Sequence, residues 1–418
     1  MAKPTVIIIA GGANSRFFPF QTLGHKGAFP LLGKSLLART LENLHAHGFD
    51  KVVAVLTPRD AELHITEQIV QHTQLPLQVS YVTQPEPRGM GDATLLGTRT
   101  MSAEEQARFA VISAYQINAG EMLDQMMTLG EGTVLASART STPTEYGMLA
   151  FNDAGQVVNI VEKPAVGTEP SDQKILTIYL FAQSFLEQLK STPAAEYNFE
   201  TALSLQLQRQ PAPVLKLTTE SPSLKYPWQL FTFLELLFKQ QQPYRAASAQ
   251  VAPTAVIDES AGPVYIGENA KIGHASRIVG PCYIGDNVIV GDFVLVRQSS
   301  LEKNVEVGGF LEIARSIIGT GTHLHSGYVG DSIIGPNVRI GAGFVNANKR
   351  IDRKSIGVKV KGKMIDSGRT QLGMLVGENA KIGIHVSVMP GKCIGQDAVV
   401  YPHQSVADNV TAELQPSK

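Results

Sequence analysis

Basic and glycine residues near the amino terminus have the types and spacing of a phosphate-binding loop. An apolar run over residues 6–10 leads into Gly11 and Gly12, and Arg16 and Lys26 follow. A strand that runs into a glycine-containing loop can present backbone N–H groups to phosphate oxygens, whose charge Arg16 and Lys26 would neutralise. An ordinary tight turn explains the glycine pair equally well, so this run alone leaves both interpretations open.

A second set of polar residues, in the carboxyl half, suits acid–base chemistry. His323 and His325 lie close in sequence, and a histidine near neutral pH can take the proton of an amine that attacks a thioester. On spacing alone, either histidine is equally an exposed loop residue. The segment 344–373 carries eight Lys or Arg residues against two aspartates, which suits a solvated loop or a site for the phosphates of a sugar or acyl-carrier ligand.

Composition excludes several classes of function. The chain has 418 residues, of which 17% are charged, with a net charge of −1. Affinity for a phosphate backbone needs an excess of Lys and Arg, so nucleic acid is not an expected partner. The first apolar run is too short for a signal peptide or a membrane span, which predicts a cytoplasmic protein without a membrane partner. Cys282 and Cys393 lack metal or disulfide spacing and should pack as small apolar residues.

The elements that must position these residues differ between the two halves. Apolar runs at 6–10, 51–56, 78–82, 109–113, 132–138 and 157–161 read as strands, and residues 36–46 and 61–72 have helical spacing. This alternation predicts an α/β domain with a Rossmann-like parallel sheet over residues 1–240, which binds ligands at the carboxyl ends of its strands.

A six-residue period replaces this alternation in the second half. Aliphatic residues recur at 266, 272, 278, 284, 290 and 296, and again at 376, 382, 388, 394 and 400, most of them followed by glycine. A period of six fits neither 3.6 nor 7, so it excludes a helix. It predicts a β-solenoid over residues 251–418, with stacked aliphatic side chains in its core and an interruption from Phe344 to about Gly373.

The amino-terminal loop resembles the opening signature of the sugar-1-phosphate nucleotidylyltransferases, Ala-Gly-Gly-x-Gly-x-Arg-Leu-x-Pro followed by Pro-Lys. Residues 84–93 are similar to the base-reading loop of that family, and Tyr146-Gly147 and Val161-Glu162-Lys163-Pro164 are similar to its sugar-phosphate segments. The resemblance covers most of residues 1–240. It implies attack of a sugar-1-phosphate oxygen on the α-phosphorus of a nucleoside triphosphate, with release of pyrophosphate.

The resemblance also implies roles for the matched residues. Arg16 and Lys26 would act on the triphosphate together with a bridging Mg²⁺. The nucleotide-binding residues that it implies are Gly11, Gly12, Ala13, Gln84 and Gly89, and the sugar-phosphate residues are Gly147, Glu162, Lys163 and Tyr179.

Two departures from the family concern the metal. The aspartate that holds Mg²⁺ after the fourth strand is Tyr115 here, and the stretch 223–229 before the terminal helix has no carboxylate. A hard cation prefers one or two carboxylates beside the phosphates of its substrate. Asp92, Glu121 and Asp124 lie near the motifs but are more simply solvated or capping carboxylates. The sequence therefore assigns no metal ligand.

The solenoid is similar to the acetyltransferase half of bifunctional glucosamine-1-phosphate acetyltransferase/N-acetylglucosamine-1-phosphate uridylyltransferases. The resemblance implies a left-handed parallel β-helix, a homotrimer with active sites between subunits, and acetyl-CoA as donor. It implies His325 as general base, with Arg297, Tyr328 and Asn348 on the sugar and phosphate. Three working positions depart from the pattern, which leaves the acyl acceptor open: Ala314, Arg339 and Gln371.

Two hypotheses follow for the amino-terminal domain, and a third keeps only the β-helix active. The first is a nucleotidyltransferase that joins a nucleoside triphosphate to a sugar-1-phosphate, with a possible acyltransferase activity in the β-helix. The second is a catalytically degenerate subunit that binds a nucleotide or sugar phosphate in a regulatory or structural role, because Tyr115 replaces the expected carboxylate. Turnover with release of pyrophosphate separates the two.

Overall fold

The structure is a computed structural model that describes residues 2–12, 14–195, 197–218, 222–411 and 413–414. Contacts between Cα atoms divide the chain into two compact units. The first comprises Met1–Ala13, Gly24–Phe29 and Ser35–Pro222, and the second comprises Asn14–Leu23, Pro30–Lys34 and Ser223–Lys418. Within the described ranges, each helix is too short or too polar to cross a lipid bilayer.

The strands and helices of the amino-terminal half alternate as the sequence predicts. The strands are β1 (Thr5–Ile9), β2 (Pro30–Leu31), β3 (Lys34–Ser35), β4 (Lys51–Leu56), β5 (Gln78–Thr83), β6 (Arg108–Ser113), β7 (Val134–Arg139), β8 (Gly147–Phe151), β9 (Val157–Glu162), β10 (Gln173–Ala182) and β11 (Val214–Leu217). The helices are α1 (Leu36–Ala46), α2 (Pro58–Glu62), α3 (Ile65–Thr73), α4 (Met90–Thr98), α5 (Ala103–Ala107), α6 (Ala119–Met127), α7 (Gln183–Ser191), α8 (Asn198–Arg209) and α9 (Leu230–Gln240), with 3₁₀ turns at Gln21–Leu23, Lys26–Ala28, Pro143–Glu145 and Pro227–Gln229.

One nine-stranded sheet forms the centre of the first unit, in the order β11-β7-β10-β6-β1-β4-β5, with β8 and β9 attached beside β10. Strand β1 pairs in parallel with both β4 and β6. The predicted parallel pairing also holds for β4 with β5, and β11 pairs in parallel with β7. Strand β10, which the sequence did not predict, runs antiparallel to β6 and β7, and the predicted strand over residues 157–161 forms an antiparallel hairpin with β8. A short turn joins β8 to β9, so this pair needs no crossover helix.

Both faces of this sheet are covered, which explains why its central strands are apolar at nearly every position. On β1, Val6 and Ile8 pack into one core cluster with Leu41 of α1 and Leu123 of α6. Ile7 points to the opposite face, in a second cluster that contains side chains of α7 and α8. The α/β architecture predicted from the alternating pattern is therefore confirmed.

The single helix predicted over residues 61–72 is wrong. The chain forms α2 and α3 instead, and between them His64 has a left-handed backbone, with φ of 52°. Thr57 caps α2, because its side chain accepts a hydrogen bond from the N–H of Asp60. The break places Asp60 and Thr66 on separate helices, and both are buried.

The carboxyl-terminal half forms the three parallel sheets of a left-handed β-helix, as predicted. The first sheet contains Tyr244–Arg245, Val264–Ile266, Cys282–Ile284, Ser300–Leu301, Ile317–Ile318, Ile333–Ile334, Leu375–Val376 and Cys393–Ile394. The second contains Gln250–Val251, Lys271–Ile272, Ile289–Val290, Glu306–Val307, His323–Leu324, Arg339–Ile340, Lys381–Ile382, Val399–Val400 and Glu413–Leu414. The third contains Val256–Asp258, Arg277–Val279, Leu295–Arg297, Leu311–Ala314, Gly327–Gly330, Phe344–Asn346, Ser387–Val388 and Ser405–Val406.

Burial confirms the six-residue ladder, because each aliphatic residue of both predicted runs is at most 5% exposed and lies in one continuous core. The predicted start of the interruption, at Phe344, is wrong: Phe344–Asn346 still pairs with the neighbouring coil on each side. The interruption contains an antiparallel hairpin of Gly357–Val360 and Lys363–Asp366.

Candidate functional site

The glycine loop lies at the carboxyl edge of the central strands. Ile9 of β1 is paired with Ser113 of β6, so the residues that follow each strand emerge side by side. A Cβ atom on Gly11 would lie 2.9 Å from the side-chain oxygen of Gln84, and the φ of Gly12 is 109°, a conformation that favours glycine. Gly11 and Gln84 are therefore in close contact, and the nucleotide-binding role of Gly11, Gly12 and Gln84 stays a prediction, whereas Ala13 lies outside the described residues.

Gln84 organises the loop that resembles a base-reading segment. Its side chain is buried, and its Nε2 donates to the carbonyl oxygen of Gly89 at 3.2 Å and to Oδ2 of Asp92 at 2.8 Å. Gly89 precedes α4 with a φ of 96°. These bonds hold the loop against the start of α4, where backbone N–H groups are available to a ligand.

Lys26 reaches the same edge of the sheet. Its ammonium nitrogen lies 5.4 Å from the centre of the Tyr115 ring, directly beyond the end of β6. A Cβ on the following residue, Gly27, would lie 2.5 Å from the carbonyl oxygen of Ala114, so this turn packs closely on the residue after β6. The structure thus places a lysine and a phenol beside the glycine loop.

Sequence reasoning missed a buried group directly behind Lys26. Nε2 of His25 lies 3.2 Å from Oγ1 of Thr66 and 3.5 Å from Oδ2 of Asp60, while Oδ1 of Asp60 accepts the N–H of Thr66 at 3.1 Å. Burial lowers the pKa of His25; the Asp60 carboxylate opposes this shift, and the positive charge of Lys26 adds to it. His25 stands where the family signature has proline, which was the only signal for this group in the sequence.

The predicted sugar-phosphate residues lie on the β8–β9 hairpin. Gly147 pairs with Glu162, and a Cβ on Gly147 would lie 2.8 Å from a carboxylate oxygen of Glu162. Nζ of Lys163 is 3.4 Å from Oε1 of Glu162, and the left-handed backbone of Lys163 has a φ of 47°. The hairpin therefore presents a carboxylate and an ammonium group together.

Tyr179, also predicted in the sugar site, lies on β10 and is only 4% exposed. Its ring stacks on Phe181 and contacts the edge of Phe199. Burial raises the pKa of Tyr179, and the charges of Glu200 and Glu162 raise it further. The hydroxyl thus stays protonated, and its proposed contact with a sugar remains a prediction.

Arg16 is exposed and belongs to the segment Asn14–Leu23 of the second unit. Nearby Phe17 and Phe20 are buried and pack edge to face. The role of Arg16 on the triphosphate therefore stays a prediction.

The residues present do not fit a protein-held metal ion. In the described ranges, no three His, Cys, Asp or Glu side chains converge as metal ligands. Asp124 is bound by Lys3 and His47, and Asp92 accepts the bond from Gln84. In the stretch 223–229, Gln229 bonds the backbone N–H of Tyr226 and the side chain of Ser223.

A second candidate site lies on the β-helix. The exposed His325 follows the strand His323–Leu324 and lines a cavity of about 580 Å³, together with Arg339, Lys381 and Tyr401. His323 lines the same cavity, but its Nδ1 lies 3.0 Å from a carboxylate oxygen of Glu306. The cavity therefore combines one histidine that can serve as a base with two cationic side chains.

Arg297 and Tyr328 lie on strands of the third sheet and Asn348 follows the strand Phe344–Asn346 of that sheet, whereas the cavity at His325 lies along the second sheet. Nδ2 of Asn348 donates to the hydroxyl of Tyr328 at 3.1 Å and to Asp331 at 2.5 Å. Arg297 donates twice to one oxygen of Glu312, at 3.0 and 2.7 Å, and Glu312 is paired in register with Tyr328.

Sequence reasoning missed the acidic partners in this cluster. Asp331 accepts two bonds from Arg315, each 2.7 Å long, and Arg315 directly follows Ala314, where the family pattern has lysine. The sequence does show a basic residue one position from the expected lysine. Strand alternation argued against it, because adjacent residues of a regular strand point to opposite faces. The left-handed backbone of Arg315, with φ of 49°, breaks that alternation.

Comparisons with known protein families support the predictions made for both halves of the chain. The family model described as Nucleotidyl transferase matches residues 5–215, and the model described as GMPPB C-terminal domain matches residues 260–366. A solved UDP-glucose pyrophosphorylase complexed with UDP-glucose superposes with a TM-score of 0.50 and 17% identity, covering 57% of this chain and 99% of that chain. At this identity the superposition supports the fold alone.

Relatives align along almost the whole chain. A bifunctional sugar-1-phosphate nucleotidylyltransferase/acetyltransferase of Sulfurisphaera tokodaii is 28% identical over 407 residues, covering 94% of this chain and 95% of the relative. The bifunctional protein GlmU of Methanocaldococcus jannaschii is 28% identical over 397 residues, covering 94% and 92%. These comparisons support a transferase and do not support the degenerate alternative. Because the family model spans half of its residues, the chain belongs to the nucleotidyl transferase family.

Proposed function

We propose that the chain transfers a nucleotidyl group from a nucleoside triphosphate to a sugar-1-phosphate. The observation that carries this proposal is the convergence of Gly11, Gln84 and Lys26 at the carboxyl edge of β1 and β6. A sugar-1-phosphate oxygen attacks the α-phosphorus, the bond to the bridging oxygen breaks, and pyrophosphate leaves with that oxygen. Catalysis then consists of positioning and charge neutralisation, and no covalent protein intermediate forms.

Each predicted residue has a role in this proposal. Gly11, Gly12 and Ala13 present the loop to the phosphates, while Gln84 and Gly89 contact the base. Glu162 accepts hydrogen bonds from sugar hydroxyls, Lys163 binds the acceptor phosphate, and Gly147 and Tyr179 complete the sugar pocket. Arg16 and Lys26 neutralise the triphosphate.

Nucleotidyltransferases generally use a divalent metal ion, which neutralises phosphate charge in the transition state. In this chain the position that the resemblance assigns to the metal-holding aspartate is Tyr115, and among the described residues no group of three or more His, Cys, Asp or Glu side chains is placed to hold a metal ion. We therefore assign no metal ligand and no catalytic step to a protein-bound ion.

A second activity, acetyl transfer, is favoured by the cavity around His325. His325 takes a proton from the attacking amine, the amine nitrogen bonds to the acetyl carbon, and the C–S bond of acetyl-CoA breaks to release the thiol. Arg339 and Lys381 line the same cavity and suit the phosphates of the donor. Arg297, Tyr328 and Asn348 would hold the acceptor.

The β-helix also supports the proposal of a homotrimer. Several large apolar side chains remain exposed along it, including Phe293 at 56% and Phe310 at 74%, whose rings stack 5.1 Å apart. Exposed apolar surface of this kind commonly marks an interface. The cytoplasmic location predicted from the sequence stays a prediction.

The proposed function is tested by measuring pyrophosphate release over a matrix of nucleoside triphosphates and sugar-1-phosphates. Turnover with one pair is expected and names the substrates. A separate assay with acetyl-CoA and amino-sugar phosphates measures thiol release. Binding of a nucleotide or sugar phosphate without any pyrophosphate release would contradict the proposal and favour a regulatory subunit.

A further inference from the structure

An aromatic side chain, Tyr115, lies just beyond the end of β6, in the region proposed to bind phosphates. Tyr115 emerges there, next to the glycine loop that follows β1, because Ile9 and Ser113 are paired in register. The ammonium group of Lys26 lies over the Tyr115 ring at 5.4 Å. An aromatic face attracts a cation, so the ring favours a charged lysine at this edge.

The carboxylates near this edge have other partners. Asp92 accepts a hydrogen bond from Gln84, and Glu162 lies 3.4 Å from the ammonium group of Lys163. Within the described parts of the chain, no three acidic, histidine or cysteine side chains gather as metal ligands. Beside Lys26, the end of β6 therefore presents a phenol where a carboxylate would favour a divalent cation, and this pair suits phosphate oxygens.

From this arrangement we infer that the nucleotide site binds the nucleoside triphosphate as the free anion at least as tightly as its Mg²⁺ complex. The inference rests on the proposed function and concerns the form in which its nucleotide is recognised. Lys26 attracts the triphosphate, and Tyr115 adds no negative charge beside it.

The expected order of affinities follows from charge. A site with a carboxylate repels a bare triphosphate and needs the metal ion between them. Where the residue beside Lys26 carries no charge, Mg²⁺ on the phosphates removes two negative charges from the ligand and weakens its attraction to Lys26. The two kinds of site therefore rank free and Mg²⁺-bound nucleotide in opposite orders.

Calorimetric titration of the full chain with the α,β-methylene analogues of UTP, ATP, GTP and CTP tests this order. Each analogue is titrated once with Mg²⁺ in excess and once with EDTA. For an analogue that binds, we expect the Kd in EDTA to be equal to or lower than the Kd in Mg²⁺. A Kd that is higher in EDTA than in Mg²⁺ by more than the error of the titration would overturn the inference while leaving the proposed function intact.

Two variants at one position sharpen the test. Tyr115→Asp installs the missing carboxylate, and we expect it to weaken binding in EDTA by ~10-fold or more relative to Mg²⁺. Tyr115→Phe keeps the ring, adds no charge and should keep the wild-type order of the two Kd values. Equal behaviour of the Asp and Phe variants would overturn the inference, because the charge at this position would then not decide the order.

Lys26→Gln provides a second measurement if Tyr115→Asp does not fold. Removing the cation should weaken binding of the free analogue more than binding of its Mg²⁺ complex. Equal weakening of both forms overturns the inference. Failure of the folded wild-type chain to bind any analogue in either condition counts against the proposed function itself, and the inference falls with it.

Discussion

His323 and His325 lie two positions apart on one edge of the β-helix but have different neighbours. His323 is held beside Glu306, whereas His325 is exposed at the cavity that Arg339 and Lys381 also line. A base must be accessible to the amine that it deprotonates. This difference in surroundings selects His325 as the group to test.

Replacing His325 by alanine should lower acetyl transfer by about 10²-fold or more, because general-base assistance is typically of that size. Pyrophosphate release should be unchanged, since His325 lies on the β-helix and is not among the residues proposed for the nucleotide site. His323→Ala is the matched control and should retain acetyl transfer within a few-fold. Both rates are measured on the same preparations, and equal losses in the two variants would contradict the assignment.

His25 gives a prediction about pH. Its folded pKa lies below the ordinary value of 6.5, chiefly because of burial, so the unfolded chain takes up the proton first. Stability from this group is complete above pH 6.5 and is lost as the pH falls below that value. Urea unfolding followed by helical circular dichroism should show a smaller loss between pH 7.5 and 5.5 in His25→Gln than in the exposed control His72→Gln.

The sequence motifs proposed residues for the nucleotide loop but not the groups behind them. Gly11 and Gln84 each follow a predicted strand, and the parallel pairing of β1, β4 and β5 brings those strand ends together, while Lys26 lies in the 3₁₀ turn Lys26–Ala28. The contact of His25 with Asp60 depends on how α2 and α3 pack, which no local pattern specifies. The same holds for Arg315, whose left-handed backbone redirects a side chain that strand alternation would place elsewhere.

Regular elements were predictable where the hydrophobic period is long and uninterrupted. The six-residue ladder specifies the β-helix because each coil buries the same positions against the next. Shorter signals failed: the apolar spacing over residues 61–72 does not reveal the break at His64, and β10, which runs antiparallel to β6, was not among the predicted strands. Local spacing reports burial, while direction and breaks depend on tertiary contacts.

The stacked core predicts a large difference between inward and outward aliphatic residues of the β-helix. Ile313→Ala, at a fully buried position, should lower the free energy of unfolding of the β-helix by about 2–5 kcal/mol. Ile289→Ala is the matched control, because Ile289 is 41% exposed on another coil, and it should cost less than about 1 kcal/mol. Chemical denaturation of both variants checks this, and equal losses would mean that the core ladder does not determine stability.

The two cysteines report on the integrity of the folded β-helix. Both are buried, and burial raises the pKa of Cys282 to about 12 and that of Cys393 to about 12. At pH 8 only about 10⁻⁴ of each thiol is ionised, so an aromatic disulfide reagent should not react within minutes. Both thiols should react at once in guanidinium chloride. Rapid reaction of the native protein would show that these coils open readily.

The proposed homotrimer predicts that one of the two activities depends on protein concentration. If the acyl site is completed between subunits of a homotrimer, acetyl transfer per chain should fall on dilution, whereas pyrophosphate release should not. Sedimentation should give three times the chain mass of 45.0 kDa at high concentration. The measurement is the specific activity of both reactions over a dilution series that spans the trimer's dissociation.

A charge in the exposed apolar stack of the β-helix should act in the same way as dilution. Phe310→Glu buries a carboxylate in the proposed interface, so it should shift the sedimenting species towards monomer and lower acetyl transfer with it. Val166→Glu, at a position 87% exposed in the first unit, introduces the same charge as a control and should change neither. A monomeric Phe310→Glu variant with full acetyl transfer would show that one chain contains the complete acyl site, and the trimer would then have another role.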